Sequence, residues 1–569
     1  MTHRKSVAGN GKAPGRARPT AVQQKTSGAY EESSTSPTRL RKRIEHERES
    51  TMTSATLTND PVVSPAAAQG GSPPTDLFQG YDSFVGSGRS TALTGTKGAA
   101  GATSQTYYKV CTDTASLYQA MNISGSVSAS FGLGSVDAKM SFAQSLNVTS
   151  TSVTVVVYTN VITDSSSCGD VKLNVAPPKD ITNFFLPYGD SYVSSITKGA
   201  EYIAVYVFQS TSITDQQSIT ASLNASDFGV SAQLSTAISS ISTSTSTNVS
   251  MSQLMTGVSK PAYPNENDMI TFALNFGTTK IDAPTVISFE TTGYEHVPGL
   301  ALFTKLQDNR NLILGNGAPG DPGLAGDYAA LTLVLNQIDA IQNVYSSYSY
   351  YGDTTLPGRK TQVIADMQAI TNLVAQMDNA PAAKYSAPSL PSLSYGTPTL
   401  TYSLGQPGGS IGLGGGTPFN DVSAATIAAG STIAALTLYG SDALTGMEVT
   451  YTNGGGLVVH GSNTDPASQT LDYTGSEASV IVSIICDASG ALYTLGVNQA
   501  TIQSDGMIGT YTGSLSWPAL TFPNGGSTAE ATYPPGLPIG FFGSVDNGVL
   551  SQLSVVTLTP SPATWATPA

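Results

Sequence analysis

Cysteine, histidine, charge and long apolar runs are all scarce in this chain, and each shortage closes off a class of protein. The three cysteines, Cys111, Cys168 and Cys486, are too few for a disulfide scaffold. They leave free buried thiols, or a single bridge between Cys111 and Cys168. Beyond residue 50 the histidines are His296 and His460. Gly408-Gly-Ser410-Ile-Gly412 spells a nucleophile elbow, but it stands in a Gly-rich β segment instead of the strand–turn–helix setting that a hydrolase needs. No phosphate loop carries its Lys and no metal-ligand spacing occurs, so neither enzyme activity nor a cofactor or metal is expected. No stretch approaches the ~18–20 consecutive apolar residues of a membrane-crossing helix. A chain of this kind that acts on membranes must insert strands, lie on the surface, or not insert.

Only 11% of residues are charged, while Ser, Thr, Gly and Ala abound. That balance fits a β-rich, extracellular-style protein with Gly/Pro turns. The formal net charge is −14, yet residues 1–50 hold eleven Lys/Arg against five Glu, so the remainder is strongly acidic. An acidic body excludes nucleic acid as partner. It also excludes attraction to anionic lipid by charge alone, which leaves neutral lipid or glycan.

Residues 1–75 are polar, rich in Pro, Ser and Thr, and aperiodic, and are read as disordered. Arg39-Leu-Arg-Lys-Arg43 is either a basic address tag or a solvated tail. No apolar region follows Met1, so no secretory signal is visible, and Met52 opens a stretch of different composition that is a candidate natural start. Residues 76–380 form the first expected folded domain. Val153–Tyr158, Met269–Phe276 and Thr285–Phe289 read as strands, Ile181–Leu186 as a short helix or a loop, and Tyr328–Ile341 and Gln362–Met377 as helices. Residues 381–400 read as a Pro/Ser linker and 401–560 as a second, all-β domain of short strands and Gly turns.

Two segments of the first domain alternate apolar and small polar residues. In the first, Ile123, Val127, Ala129, Phe131 and Leu133 share one parity; past Gly134-Ser135 the parity changes to Val136, Ala138, Met140 and Phe142. In the second, Ile219, Ala221, Leu223 and Ala225 lead to a tip near Ser226-Asp227, and Phe228, Val230, Ala232 and Leu234 return. Period-two alternation marks strands with one apolar and one wet face. Lengths near the ~9–11 residues of a transmembrane β-strand admit two membrane-crossing hairpins, against the alternative of half-buried hairpins in a soluble sheet.

Between them lies Tyr188-Gly189-Asp190-Ser191-Tyr192, six residues, then Gly199-Ala200. This resembles the signature of the membrane attack complex/perforin (MACPF) and cholesterol-dependent cytolysin superfamily, Tyr/Trp-Gly-Thr/Ser-His-Phe/Tyr, six residues, Gly-Gly. Asp190, Ser191 and Ala200 depart from it. The resemblance implies an α+β fold, with a bent central antiparallel sheet flanked by helical clusters. Those clusters unfurl into two β-hairpins per subunit, and a ring of subunits closes a transmembrane barrel. Beyond residue 400, Gly415-Gly416-Thr-Pro-Phe419-Asn420-Asp421 and the closing Gly540–Ser544 resemble a jacalin-related lectin, a three-sheet β-prism. In that family a sugar is held by the opening Gly, here Gly416, and by a closing loop ending in Leu-Asp. Ser551 stands at the Asp position, one extra residue lies in the loop, and Asp546 or Asn547 is the candidate substitute.

Together these resemblances imply a secreted or released pore-forming protein. Its partners are copies of itself, the lipid of a target membrane, and a cell-surface glycan or receptor. The rival expectation is a non-lytic adhesin or lectin that keeps the MACPF fold as scaffold.

Overall fold

A computed structural model of the chain describes residues 73–566 apart from 102, 124–137, 147, 150–151, 210–212, 225–228, 245–248, 317–320, 406–410, 442, 454–455, 466–467, 474–476, 487–490, 503–507, 518–528 and 531–535. Ser410, Val127, Ala129, Phe131, Leu133, Val136, Ala225, Phe228 and both expected hairpin tips lie outside the described residues.

The first architecture is an antiparallel sheet built on two long strands, β5 (Val153–Leu173) and β6 (Ser191–Phe208). Around them pair β1 (Gln79–Asp82), β2 (Ser87–Thr91), β3 (Leu93–Ala99), β4 (Thr106–Cys111), β7 (Val249–Thr256) and β8 (Thr285–Gly293). The run Val153–Tyr158 is apolar without a break because both faces of the sheet are covered. Val153, Val155 and Val157 enter one core, with Tyr202, Ala204, Tyr206 and Phe208; Val156 and Tyr158 enter the other, with Ile203, Val205 and Val207. Sheets buried on both faces carry such unbroken runs.

Where they are described, the alternating segments are helical, which corrects the strand reading of those parts. Helix α1 (Thr114–Ala120) precedes the first segment, and α2 (Ala138–Ser145) takes up its described end. Past helix α3 (Ile181–Tyr188), helices α4 (Ile213–Asn224) and α5 (Ala232–Ser244) belong to the second. Ser and Thr favour helices poorly, so packing must supply the stability. It does so at helical spacing: Ile219 and Leu223, and Leu234, Ile238 and Ile241, are buried against the β5 face that carries Val153 and Val155. Leu117, Met140 and Ala143 are buried on the opposite face. Ile123 is buried, Phe142 and Val230 half-buried, and Ala138 and Ala221 exposed.

Met269–Phe276, expected as a strand, is also helical: α6 (Met269–Asn275) runs into a 3-10 turn at Phe276. Met269, Ile270, Ala273 and Phe276 recur at i, i+1, i+4 and i+7 and are all buried, a stripe that suits a helix. Further on come α7 (Thr304–Leu314), α8 (Gly323–Ser347) and α9 (Leu356–Asn379). The last two cover the spans expected to be helical. Among the described residues no helix is long and apolar enough to cross a membrane.

Three further antiparallel sheets follow. The first pairs β9 (Pro398–Gly405), β10 (Ile411–Gly412), β11 (Thr417–Asn420), β20 (Leu537–Asp546) and β21 (Val549–Trp565). The second pairs β12 (Ile433–Gly440), β13 (Leu444–Tyr451), β14 (Gly456–Gly461) and β15 (Ser468–Asp472); the third pairs β16 (Glu477–Cys486), β17 (Leu492–Ile502), β18 (Ile508–Trp517) and β19 (Ala529–Glu530). All three contribute to one core, through Leu436, Val449, Ile484, Val497, Phe541 and Leu553. This is a three-sheet β-prism. It is seated on α8: the Tyr345 hydroxyl donates to Ser561 O at 2.8 Å, and the Tyr348 hydroxyl to Ser431 O at 2.8 Å.

Candidate functional site

Both central strands change partners at one level. The outer edge of β6 pairs with β8 over Ser191–Gly199 and with β7 over Glu201–Phe208. Across the pair, β5 is met by β4 at Thr154–Thr159 and by β3 at Ser166–Leu173. Val161 faces Ala200 at the handover, and a register irregularity follows between Ile162 and Asp164. Close backbone approach there requires glycine. A Cβ on Gly199 would stand 2.0 Å from Val161 O, and one on Gly257 (φ +81°) 2.5 Å from the Ala200 Cα. The motif's second glycine is Ala200 in this chain, and Gly257 on the neighbouring segment gives the room.

The four strands β4, β5, β6 and β7 end together. Cys111 pairs with Thr154, Val153 with Phe208, and Phe208 with Val249. The first alternating segment joins β4 to β5 and the second joins β6 to β7. Each is therefore an insertion between two hydrogen-bonded antiparallel neighbours, and both leave and return at the same end of the sheet.

The other motif residues anchor the opposite half of β6. Tyr188 closes α3, its ring tilted against that of Phe184 with centroids 4.8 Å apart, and its carbonyl accepts from the Tyr294 hydroxyl. Gly189 has φ +75°, and a Cβ there would lie 2.1 Å from Tyr81 O. Asp190 is fully buried. It accepts from Ser83 N at 2.7 Å and Ser83 Oγ at 2.6 Å, and pairs with Arg310 Nε at 2.5 Å. Arg310 also holds Glu295 at 2.7 Å and donates to Asp190 O, and it keeps the Glu295 carboxyl below its usual range despite burial. Ser191 Oγ donates to Tyr81 O, and Tyr192 pairs with Gly80 and Thr292. Asp190 in place of Thr/Ser thus has its own countercharge, 120 residues further along.

Sequence reasoning missed Arg310, Ser83 and Gly257. A signal was present for the first: only Arg89, Arg310 and Arg359 lie beyond residue 50, and a carboxylate inside a motif needs a partner if buried. Arg89 pairs with the buried Asp82. Arg359 lies over the Tyr395 ring at 3.4 Å.

At one end of the prism the candidate glycan residues converge. Gly414, Gly415 and Gly416 all have positive φ, and a Cβ on Gly416 would meet Val545 O at 2.1 Å. Asp546 pairs with Val549 across Asn547 (φ +50°) and Gly548 (φ +80°), a two-residue hairpin of the kind that needs positive φ at both positions. Asp546 and Asn547 are exposed at this tip. Ser551 is turned inward, its hydroxyl 3.0 Å from Ser544 O and 3.2 Å from Gly415 O. Among the described residues of this tip, Asp546 and Asn547 are thus exposed side chains with acceptor oxygens. Asp421 of the opening motif is a brace, accepting from the Tyr451 hydroxyl at 2.5 Å and lying 2.8 Å from His460 Nε2.

All three cysteines are free thiols, and burial pushes Cys111 up to about 12. Among the described residues no cluster of His, Cys, Asp and Glu is arranged to hold a metal.

No family model matches this chain, and no curated protein matches it in sequence. Among solved structures, it is similar to a mannose-binding lectin from Champedak (18% identity, 28% of this chain, 96% of that one, TM-score 0.18). It is also similar to a mannose-binding jacalin-related lectin from Ananas comosus (13%, 28% and 99%, TM-score 0.20) and a mannose-specific one from Morus nigra (17%, 31% and 99%, TM-score 0.18). The prism itself is defined by the pairing of this chain's own strands.

Proposed function

We propose that this is a pore-forming protein of the MACPF type. It is released from its cell of origin, docks on a target membrane through its β-prism, assembles into a ring of identical subunits, and inserts two β-hairpins per subunit. The observation that carries the reading is the common exit of β4, β5, β6 and β7. About 40 residues lie between each pair of exits. Extended, each segment continues its flanking strands as a hairpin with about 20 residues per arm, beyond the ~9–11 that span a bilayer. Four adjacent strands then grow from one sheet end with no change of topology. The apolar parity faces lipid and the Ser/Thr parity faces water. A ring is required because an open sheet leaves backbone groups unpaired in lipid.

The prism is the targeting element in this reading. Its exposed Asp546–Asn547 tip beside Gly416 is the glycan contact, since a carboxylate and an amide accept the hydroxyl hydrogens of a sugar. Neutral lipid or a receptor at the same end completes the docking. The protein acts by binding and assembly, without catalysis.

Dye release from liposomes and cells, with imaging of membrane-bound protein, tests this. Rings and leakage are expected. Val127→Asp charges the lipid-facing parity and abolishes leakage while leaving surface binding intact. Protein that stays monomeric and non-lytic on every membrane tried removes the reading. What survives then is the adhesin, with the MACPF-like sheet as scaffold.

A further inference from the structure

Lys139 on α2 is buried, and its ammonium reaches three acceptors on separate elements. These are Asn122 O at 3.0 Å, Glu201 Oε1 at 3.2 Å and Ile287 O at 2.6 Å. Three donors are all that an ammonium has. Glu201 is itself buried on β6, one residue past the Gly199-Ala200 handover, and Ile287 lies on β8. The Tyr158 hydroxyl on β5 donates to the same Glu201 oxygen at 2.5 Å, and Asn122 and Asn160 donate to the Tyr158 oxygen. One side chain of the first segment is thereby tied to the sheet on both sides of the level where its strands change partners.

We propose that the Lys139–Glu201 pair is a latch that keeps the first segment docked on the sheet, and that its release is the step that frees the segment to extend. The role in extension rests on the pore-forming reading above; the docking role does not. Two features support it. Lys139 lies on the wet parity, between Ala138 and Met140, so the same residue that locks the helix faces water in an extended strand. And the other buried side chains of α2 are apolar, Met140 and Ala143, so Lys139 is its buried charge. A buried pair of this kind resists separation, because parting it leaves an uncompensated charge inside the protein.

Hydrogen–deuterium exchange on the full chain in solution tests the latch without any membrane. Glu201→Gln removes the countercharge while keeping the shape. It raises exchange of the 138–145 amides about tenfold, with 213–244 and the prism unchanged. Tyr158→Phe, which deletes only the supporting hydroxyl, is the milder variant should the first not fold, and it raises exchange in the same place about threefold. Unchanged exchange at 138–145, or an equal rise throughout the chain, overturns the latch. Dye release run in parallel separates the two ideas. Faster onset with Glu201→Gln supports both, whereas localised exchange without leakage from any variant keeps the latch as a docking lock and removes the pore.

Discussion

Arg310 is the residue on which the signature half of β6 depends, and removing it is the sharpest test of that assignment. Its side chain is 14% exposed, while those of Asp190 and Glu295 are 0% and 5% exposed. Arg310→Met keeps the aliphatic bulk but strands two carboxylates, one of which retains only its bonds to Ser83. Breaking a buried pair by deleting one partner costs about 3–5 kcal/mol. At roughly 1.6 °C per kcal/mol for a cooperative unit of about 300 residues, melting falls by about 5–8 °C. Asp190→Ser introduces the residue type of the motif that the stretch resembles. It leaves Arg310 paired with Glu295, so its loss is smaller, and the double variant loses less than the two singles added together. Both tryptophans, Trp517 and Trp565, lie in prism strands. The assay is therefore thermal melting by far-UV circular dichroism, or exchange of the 191–199 amides, and not tryptophan fluorescence. A fall below about 2 °C for Arg310→Met, or strictly additive singles, refutes the reasoning.

Two further outcomes follow from the same geometry. Burial, with the Asp190 carboxylate nearby, pushes the Asp82 carboxyl up to about 7 in spite of Arg89. A carboxyl raised on folding favours the folded state when protonated, so its contribution is full below about pH 4 and is lost as pH rises towards 7. The melting temperature of the wild type relative to Asp82→Asn should therefore climb as pH falls from 8 to 5; parallel profiles would contradict it. At the prism tip, Asp546→Ala with Asn547→Gly, which keeps the positive φ of the turn, abolishes binding to any glycan the protein recognises on an array and leaves melting within about 2 °C, because both side chains are exposed. Retained binding moves the contact elsewhere on the prism.

Much of the fold was legible where one pattern admits one structure. Val153–Tyr158 is too apolar to be anything but a strand covered on both sides, and Tyr328–Ile341 and Gln362–Met377, within α8 and α9, carry helical spacing over about four turns each. The closing loop around Asp546–Gly548 was marked only through the lectin resemblance, and its two-residue Asn547-Gly548 turn is a finding of the structure. Legibility failed where a pattern satisfies two periods. Met269, Ile270, Ala273 and Phe276 make a helical stripe, but Thr271, Phe272 and Leu274 between them imitate a strand. Of the candidate site, the sequence singled out the stretch Tyr188–Ala200, while Arg310, Gly257 and Glu201's link to Lys139 are contacts between distant positions, and no local pattern records those.

The alternating segments mark the boundary most clearly. By itself the sequence settled their two-faced character, since large apolar residues and alanines share one parity and Ser/Thr the other. Its period of two read as strands, and that reading failed where the segments are described. In Ile219-x-Ala221-x-Leu223 the large residues are four apart and suit a helix, while the alanine between them tolerates water in a helix and completes an apolar row in a strand. The tertiary structure decided for helices, because a sheet face lined by Val153, Val155 and Tyr206 offers Ile219 and Leu223 a surface to bury against. Burial of that kind outweighs the poor helix propensity of Ser and Thr only while the sheet is there to receive it.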